Sequence, residues 1–159
     1  MEDKELALML ERIKKIKNLQ VKDFMQKNVI TLDVEDLLAT AARTFVENKI
    51  NGLIIMRDGL PYSILSSWDL LHVSYVESFS DKMDYLRTPL GELIENPIMV
   101  SVAPSASLAQ LATVAAKNTV RTIPIMEDKK LVGVISIMDL VKLYHQMLLD
   151  ENAFSGKEK

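Results

Sequence analysis

Two short segments of this 159-residue sequence place a hydroxyl three residues before a carboxylate, each where the surrounding pattern predicts the start of a helix. They are Ser66-Ser67-Trp68-Asp69 and Ser136-Ile137-Met138-Asp139. The serine can cap the helix, and the aspartate complements the positive end of its dipole. Together with free backbone N–H groups of the first turn, the same groups can bind a phosphate or accept protons from ligand hydroxyl groups. Arg121 offers a cation for bidentate contact with an anion.

No arrangement typical of catalysis accompanies these segments. His72 and His145 stand alone, and there is no Gly-x-Ser-x-Gly, P-loop or Gly-x-Gly-x-x-Gly motif. The absence of cysteine excludes disulfides, zinc–thiolate sites and a cysteine nucleophile. It also fits a reducing compartment. We therefore expect a cytoplasmic protein that is not an enzyme.

The composition describes a globular chain of slightly acidic balance. The formal net charge is −3, with 48% hydrophobic and 26% charged residues, which excludes a mainly disordered chain. The acidic balance disfavours bulk nucleic-acid binding. No uncharged run is long and apolar enough to span a bilayer.

The sequence repeats itself at an offset of 70 residues. Residues 29–72 align without gaps on residues 99–142, and ten of these 44 positions are identical, among them the Ser and Asp of both segments above. Upstream, residues 21–25 resemble residues 90–94 at an offset of 69. A unit of roughly 60 residues has a marginal core alone, so we expect the two copies to pack together.

Each repeat predicts the element order β-α-β-β-α. The expected strands are 29–32, 53–56 and 62–65 in the first copy, and 99–102, 123–126 and 131–135 in the second. The second helices are expected to begin near Trp68 and Met138. Expected helix caps are Asp33 or Asp36, Ser105 or Ser107, and Asn48 and Asn118 in the left-handed conformation at the helix ends.

Four segments follow from the repeat. Residues 1–20 carry an amphipathic helix, with an apolar stripe expected to pack on the module or on a second subunit. The first repeat with its connecting segment spans 21–88, the second repeat spans 89–149, and 150–159 form a flexible tail. The basic cluster of the leading helix is interpreted as its solvated face; it comprises Arg12, Lys14, Lys15 and Lys17.

The second repeat closely resembles a CBS domain. Residues 120–125 are similar to that family's apolar-basic-polar-apolar-Pro-apolar strand, and residues 131–140 to its closing stretch with the Ser/Thr-x-x-Asp signature. The first repeat keeps this signature, but residues 51–55 lack the basic residue and the Pro, and Ser63 replaces the usual Gly. Residues 21–149 thus resemble a tandem CBS pair, or Bateman module. That implies an α+β fold (α/β by some schemes) of two pseudo-symmetric repeats packed sheet to sheet, plus the N-terminal helix.

The resemblance implies a regulatory, ligand-sensing module. Members commonly bind AMP, ADP, ATP or S-adenosylmethionine in clefts between the repeats, often act on a linked or separate effector protein, and often form homodimers. No required cofactor or metal is implied. Among the candidate residues, those on the first strands would help to form an apolar slot for adenine. The candidate ligand-binding residues are Ser136, Asp139, Arg121, Pro124, Val100, Ser66, Asp69 and Ile30.

Repeat 2 matches the family pattern better, so we expect the site with Ser136, Asp139 and Arg121 to be the more competent one. Two other interpretations stay open. The Ser-x-x-Asp segments are explained by helix capping alone if the clefts hold no ligand and the pair serves only for dimerisation or docking. The leading helix could also bind nucleic acid or a membrane surface, although it lacks Trp and Phe anchors.

Overall fold

Helices alternate with short strands in this computed structural model. It describes residues 7, 10–12, 14–16, 18–79, 84–95, 97 and 99–149, with side chains up to residue 146. Single helical turns of the 3-10 type lie at Val21–Asp23 and Tyr85–Arg87. The strands are β1 Thr31–Asp33, β2 Gly52–Arg57, β3 Leu60–Ser66, β4 Thr122–Glu127 and β5 Lys130–Ser136. The α-helices are α1 Leu38–Asn48, α2 Ser67–Glu77, α3 Leu90–Leu93, α4 Leu108–Asn118 and α5 Ile137–Leu149.

The two sheets are equivalent halves, as the repeat predicts. In the first, β1 pairs parallel with β2, and β2 antiparallel with β3. In the second, β4 pairs antiparallel with β5. Strand β2 contacts β4, and β3 contacts β5, so the halves meet sheet to sheet. This confirms the α+β architecture expected from the sequence.

The strand expected at 99–102 is reduced to one isolated bridge between Val102 and Ile125. The backbone N–H of Val102 donates to the carbonyl of Pro124 at 3.2 Å, and that of Met126 to the carbonyl of Val102 at 3.0 Å. The preceding bond of a parallel ladder would need an N–H on Pro124 and the following bond one on Pro104, and proline lacks this group. The two prolines therefore limit the pairing that β1 continues in the first half.

The N-terminal caps of the first helix of each repeat differ from expectation in one half and agree in the other. Ser107 caps α4, and Gln110 completes a capping box. Helix α1 has Leu37 in the capping position and no side-chain cap, because the leucine side chain has no acceptor atom; the Asp36 carboxylate accepts the Asp33 N–H. The prediction of Asp33 or Asp36 as N-cap was therefore wrong.

The left-handed residues at the ends of α1 and α4 are Lys49 and Thr119, with φ of 53° and 52°. These lie one residue beyond the predicted Asn48 and Asn118. The two asparagines are still helical, and their side-chain amides donate to the carbonyls of Thr44 and Val114.

Both hairpins close through two residues of positive φ. Asp58 and Gly59 have φ of 51° and 75°, and Asp128 and Lys129 have 48° and 66°. This is the requirement of a type I′ turn, whose twist matches that of the strands. The second turn lacks glycine and forms the same way, at a steric cost to Lys129.

The first residues of each repeat pack on the other half. The backbone N–H groups of Val21 and Lys22 donate to the carbonyls of Ala106 and Pro104, at 2.9 Å each. Equivalent bonds of 2.8 Å run from Leu90 and Gly91 to Asp36 and Val34. The boundary predicted at 88/89 therefore does not coincide with the boundary between the two halves in space, because the first residues of each repeat pack on the other half.

The two hydrophobic cores show the same exchange. Val21 is buried in the core of the second half, with Ile16 and Leu19 of the leading segment packed against it. Leu90 is buried in the core of the first half. Each core is thus completed by residues from the start of the other repeat. The leading segment is helical at residues 7, 10–12, 14–16 and 18. Lys17 of the basic cluster lies outside the described residues, as does the tail from 150.

Candidate functional site

Both Ser-x-x-Asp segments form capping boxes. In the first, Oγ of Ser66 accepts the N–H of Asp69 at 3.1 Å. Oδ2 of Asp69 in turn accepts the backbone N–H of Ser66 at 2.8 Å and its hydroxyl at 2.6 Å. In the second, the corresponding distances between Ser136 and Asp139 are 3.2, 2.8 and 2.7 Å. The structural role is therefore present in both copies, and it uses only Oδ2 of each carboxylate.

One of the two boxes borders a large cleft between the halves, here called cleft A. Its volume is about 440 Å³, within the range of about 300–1,000 Å³ typical of small-molecule sites. Repeat 1 contributes both ends of the capping box and Trp68, and repeat 2 contributes Arg121 and Val100. The full lining is Asn51, Gly52, Ile64, Ser66, Ser67, Trp68, Asp69, Val100, Thr119, Val120, Arg121 and Thr122.

The chemistry of cleft A is that of a small polar ligand with an anionic group. Among the described residues, Oδ1 of Asp69 accepts no hydrogen bond, so it is available to a ligand hydroxyl. The N-terminal end of α2 lies at the cleft, and the positive end of the helix dipole favours a negative charge there. Arg121 adds a guanidinium from the opposite half, and Val100 and Ile64 give apolar surface.

The equivalent cleft of the other half, cleft B, is nearly filled, and neither Ser136 nor Asp139 lines it. Its volume is about 50 Å³, and residues 26 and 28–30 of the chain line it together with Ile50, Gly52, Ile54 and Val134. Gln26 forms an antiparallel bridge with Val134, with both backbone hydrogen bonds at 2.9 Å. Its side-chain Nε2 donates to Oδ1 and Oδ2 of Asp139 at 3.1 and 3.0 Å.

Five of the eight predicted site residues line the two clefts, whereas Ser136, Asp139 and Pro124 line neither. Ser66, Asp69, Arg121 and Val100 meet at cleft A, and Ile30 lines cleft B. The sequence analysis grouped Arg121 with Ser136 and Asp139, but in the structure Arg121 lines the same cleft as Ser66 and Asp69. The Arg121 carbonyl accepts the N–H of Ile137 at 2.8 Å, but Arg121 lines the cleft of the other capping box. Pro124 is buried in β4 and lines neither cleft.

Gln26 is the functional candidate that the sequence analysis missed. Nothing in its local pattern singles it out, since its partner is 113 residues away. One signal was present: at the offset of 69 residues, Gln26 aligns with Glu95. An amide can donate to an aspartate, but a carboxylate cannot. Accordingly, Glu95 makes no hydrogen bond to Asp69 among the described residues.

Comparison with known proteins identifies the class. The sequence profile of the CBS domain matches twice, over residues 21–75 and 90–146. Because these two matches cover most of the chain, the protein belongs to the CBS-domain family, whose domains are generally regulatory. The tandem arrangement expected from the repeat is thereby confirmed.

Solved structures agree with this assignment. A protein assigned to acetoin utilization, AcuB of Vibrio cholerae, is 27% identical with a TM-score of 0.70 over 82% of this chain and 93% of that one. CBSX2 in complex with AMP is 24% identical, with a TM-score of 0.67 over 80% of this chain and 97% of that one. The CBS pair of MJ0100 with 5′-methylthioadenosine and S-adenosyl-L-methionine is 20% identical, with a TM-score of 0.68 over 79% and 95%. The last two likenesses show the fold.

A curated relative is considerably longer than the chain. The uncharacterised protein MJ1404 of Methanocaldococcus jannaschii is 26% identical over 149 residues, which are 88% of this chain and 35% of that protein. The chain thus spans about a third of that relative. Among the described residues, no helix combines the length and apolar character needed to cross a lipid bilayer.

Proposed function

We propose that the chain is a cytoplasmic, non-catalytic regulatory module that binds an adenosine-containing ligand, AMP, ADP, ATP or S-adenosylmethionine, in cleft A. Cleft A carries this proposal, since it joins a carboxylate with an unused oxygen on one repeat to a guanidinium on the other. Its volume of about 440 Å³ suits a nucleotide. The adenosine class is supported by the ligands named for CBSX2 and MJ0100.

Each side chain has a role set by its chemistry. Oδ1 of Asp69 accepts a ribose hydroxyl, while Oδ2 continues to hold Ser66 in the capping box. The N-terminal turn of α2 binds the anionic group, assisted by Arg121. The apolar side chains of Val100 and Ile64 contact the base.

A ligand in cleft A touches both repeats. It therefore binds most tightly to one relative arrangement of the halves and shifts the population toward that arrangement. An effector protein that distinguishes the arrangements would receive the signal. Small-angle scattering with and without saturating ligand tests this step, since a change of arrangement alters the profile.

Calorimetric titration with AMP, ATP, adenosine and S-adenosylmethionine tests the binding itself. At a hundred times the dissociation constant, a ligand should stabilise the protein by about 2.7 kcal/mol. Asp69→Asn should weaken binding at least about tenfold, because it removes a charged hydrogen-bond acceptor. Asp139→Asn is the matched control at the equivalent place, and it should leave the affinity of cleft A unchanged.

Two outcomes would refute the proposal. The first is that no adenosine compound binds or shifts the melting temperature. The second is that Asp69→Asn binds as tightly as the wild type. If Asp139→Asn alone lost binding, the expectation from the sequence, with the second repeat as the competent site, would hold instead.

A dimerisation module is the second candidate function, and exposed apolar side chains favour it. Helices α2 and α5 both carry them: Trp68, Leu71 and Tyr75 on the first, and Met138, Val141 and Tyr144 on the second, of which the first two on each helix are at equivalent places. Such residues three or four positions apart lie on one face of a helix. A second copy of the chain, with the same two helices, is a self-complementary partner.

A further inference from the structure

We infer that Gln26 determines how many ligands the module binds. Its side-chain amide donates to the Asp139 carboxylate, so that cleft B stays closed and each chain binds one ligand. This inference rests on the proposed function of cleft A. Gln26 would act as a specificity-determining residue that selects between two clefts of equivalent origin.

Both oxygens of the Asp139 carboxylate accept hydrogen bonds. Oδ2 accepts bonds from Ser136, and Nε2 of Gln26 lies at 3.1 Å from Oδ1 and 3.0 Å from Oδ2. A hydrogen bond to a charged group is stronger than one between neutral groups. A ligand hydroxyl would therefore have to displace the amide before it could reach Asp139.

The backbone keeps Gln26 in this position. Its reciprocal bonds with Val134 tie the segment to β5. Gly133, next to Val134, permits the approach: a Cβ at Gly133 would lie 2.6 Å from Sδ of Met25 and 3.1 Å from the carbonyl oxygen of Gln26. The absence of a side chain at residue 133 thus allows the segment to cover cleft B.

The first repeat differs at both points. Ser63 stands where the second repeat has Gly133, and Glu95 stands where the segment would need Gln26. Among the described residues, Ile64, the equivalent of Val134, forms no bridge outside its own hairpin. Cleft A has a volume of about 440 Å³ and cleft B one of about 50 Å³, and we attribute this difference in volume to the two sequence differences.

Titration calorimetry with AMP in an Asp69→Ala background isolates cleft B. Asp69→Ala alone should show little binding, since cleft A is impaired and cleft B is closed. Adding Gln26→Ala keeps the backbone bridge but frees Asp139, and should raise the affinity of cleft B by about ten- to a hundredfold. Lys27→Ala, an exposed neighbour that lines neither cleft, is the control and should change nothing. In the otherwise wild-type chain, Gln26→Ala should add a second equivalent of AMP.

The inference fails if wild-type protein binds two equivalents, or if Gln26→Ala leaves cleft B without measurable gain. Loss of the proposed function has a different signature, namely no binding by the wild type. In that case the hydrogen bond between Gln26 and Asp139 is tested without ligand, by recording the side-chain amide signals of Gln26 in a proton–nitrogen NMR correlation spectrum. Asp139→Ala should shift them and Asp69→Ala should not; unchanged signals in Asp139→Ala would overturn the inference.

Discussion

Gly52 and Thr122 occupy equivalent places in the two repeats and stand face to face where the halves meet. A Cβ added to Gly52 would collide with the Thr122 side chain, at 2.6 Å from its Cβ. Thr122 is buried, and Gly52 lines both cleft A and cleft B. The close approach of the repeats thus depends on the absence of a side chain at residue 52.

Gly52→Ala should destabilise the protein by about 1–3 kcal/mol, because an overpacked interface must shift. Chemical denaturation measures the change. Thr122→Ala removes Oγ1 and Cγ2 of the facing side chain, so the double variant should recover part of the loss, which is a non-additive effect. Strict additivity of the two changes would show that the residues do not meet.

Leu90→Ala tests whether the first residues of each repeat complete the core of the other half. Leu90 belongs to the second repeat by sequence but is fully buried in the core of the first half. The substitution should cost about 2–5 kcal/mol, as other buried leucine truncations do. Leu60→Ala, at a side chain that is 54% exposed, should stay within about 0.5 kcal/mol.

The interlocked cores also predict that both halves unfold together. In the Leu90→Ala variant, calorimetric and van't Hoff enthalpies should still agree, as in a single transition. Two separate transitions, with only the second half disturbed, would contradict the packing of Leu90 in the first half.

The part of the fold that local patterns encode was predictable. Apart from the strand expected at 99–102, the element order of the repeats, both hairpins and the Ser66 and Ser136 caps follow from periodicity and turn residues within one repeat. Contacts between distant segments were not, since no local pattern places Gln26 beside Asp139 or Val21 in the core of the other half. The cleft to which Arg121 belongs is likewise decided by how the two repeats face each other.

Arg121→Ala should separate ligands by charge. Arg121 lines cleft A, as does the N-terminus of α2, where a phosphate is favoured. AMP and ATP should lose about ten- to a hundredfold in affinity, as expected for a lost charge-assisted bond, while adenosine should be nearly unaffected. Lys117→Ala removes an exposed cation that lines neither cleft and serves as the control.

An equal loss for adenosine and AMP would mean that Arg121 supports the cleft rather than contacting the anion. An unchanged affinity for AMP would remove Arg121 from the site. Titration calorimetry at constant ionic strength distinguishes these results, because screening by salt weakens contacts between charges.

The apolar faces of α2 and α5 predict a concentration-dependent homodimer. Leu71 and Val141 occupy equivalent places on these helices and are 58% and 51% exposed. Neither lines cleft A or cleft B, so their substitution separates assembly from ligand binding. Leu71→Glu combined with Val141→Glu should shift sedimentation toward the monomer, because a charge in an apolar interface must be desolvated without a partner. Leu60→Glu places the same charge at an exposed leucine on β3, away from both helices, and should leave the dimer intact. A monomeric wild type, or a double variant that sediments as the wild type does, would show that these faces serve some contact other than self-association.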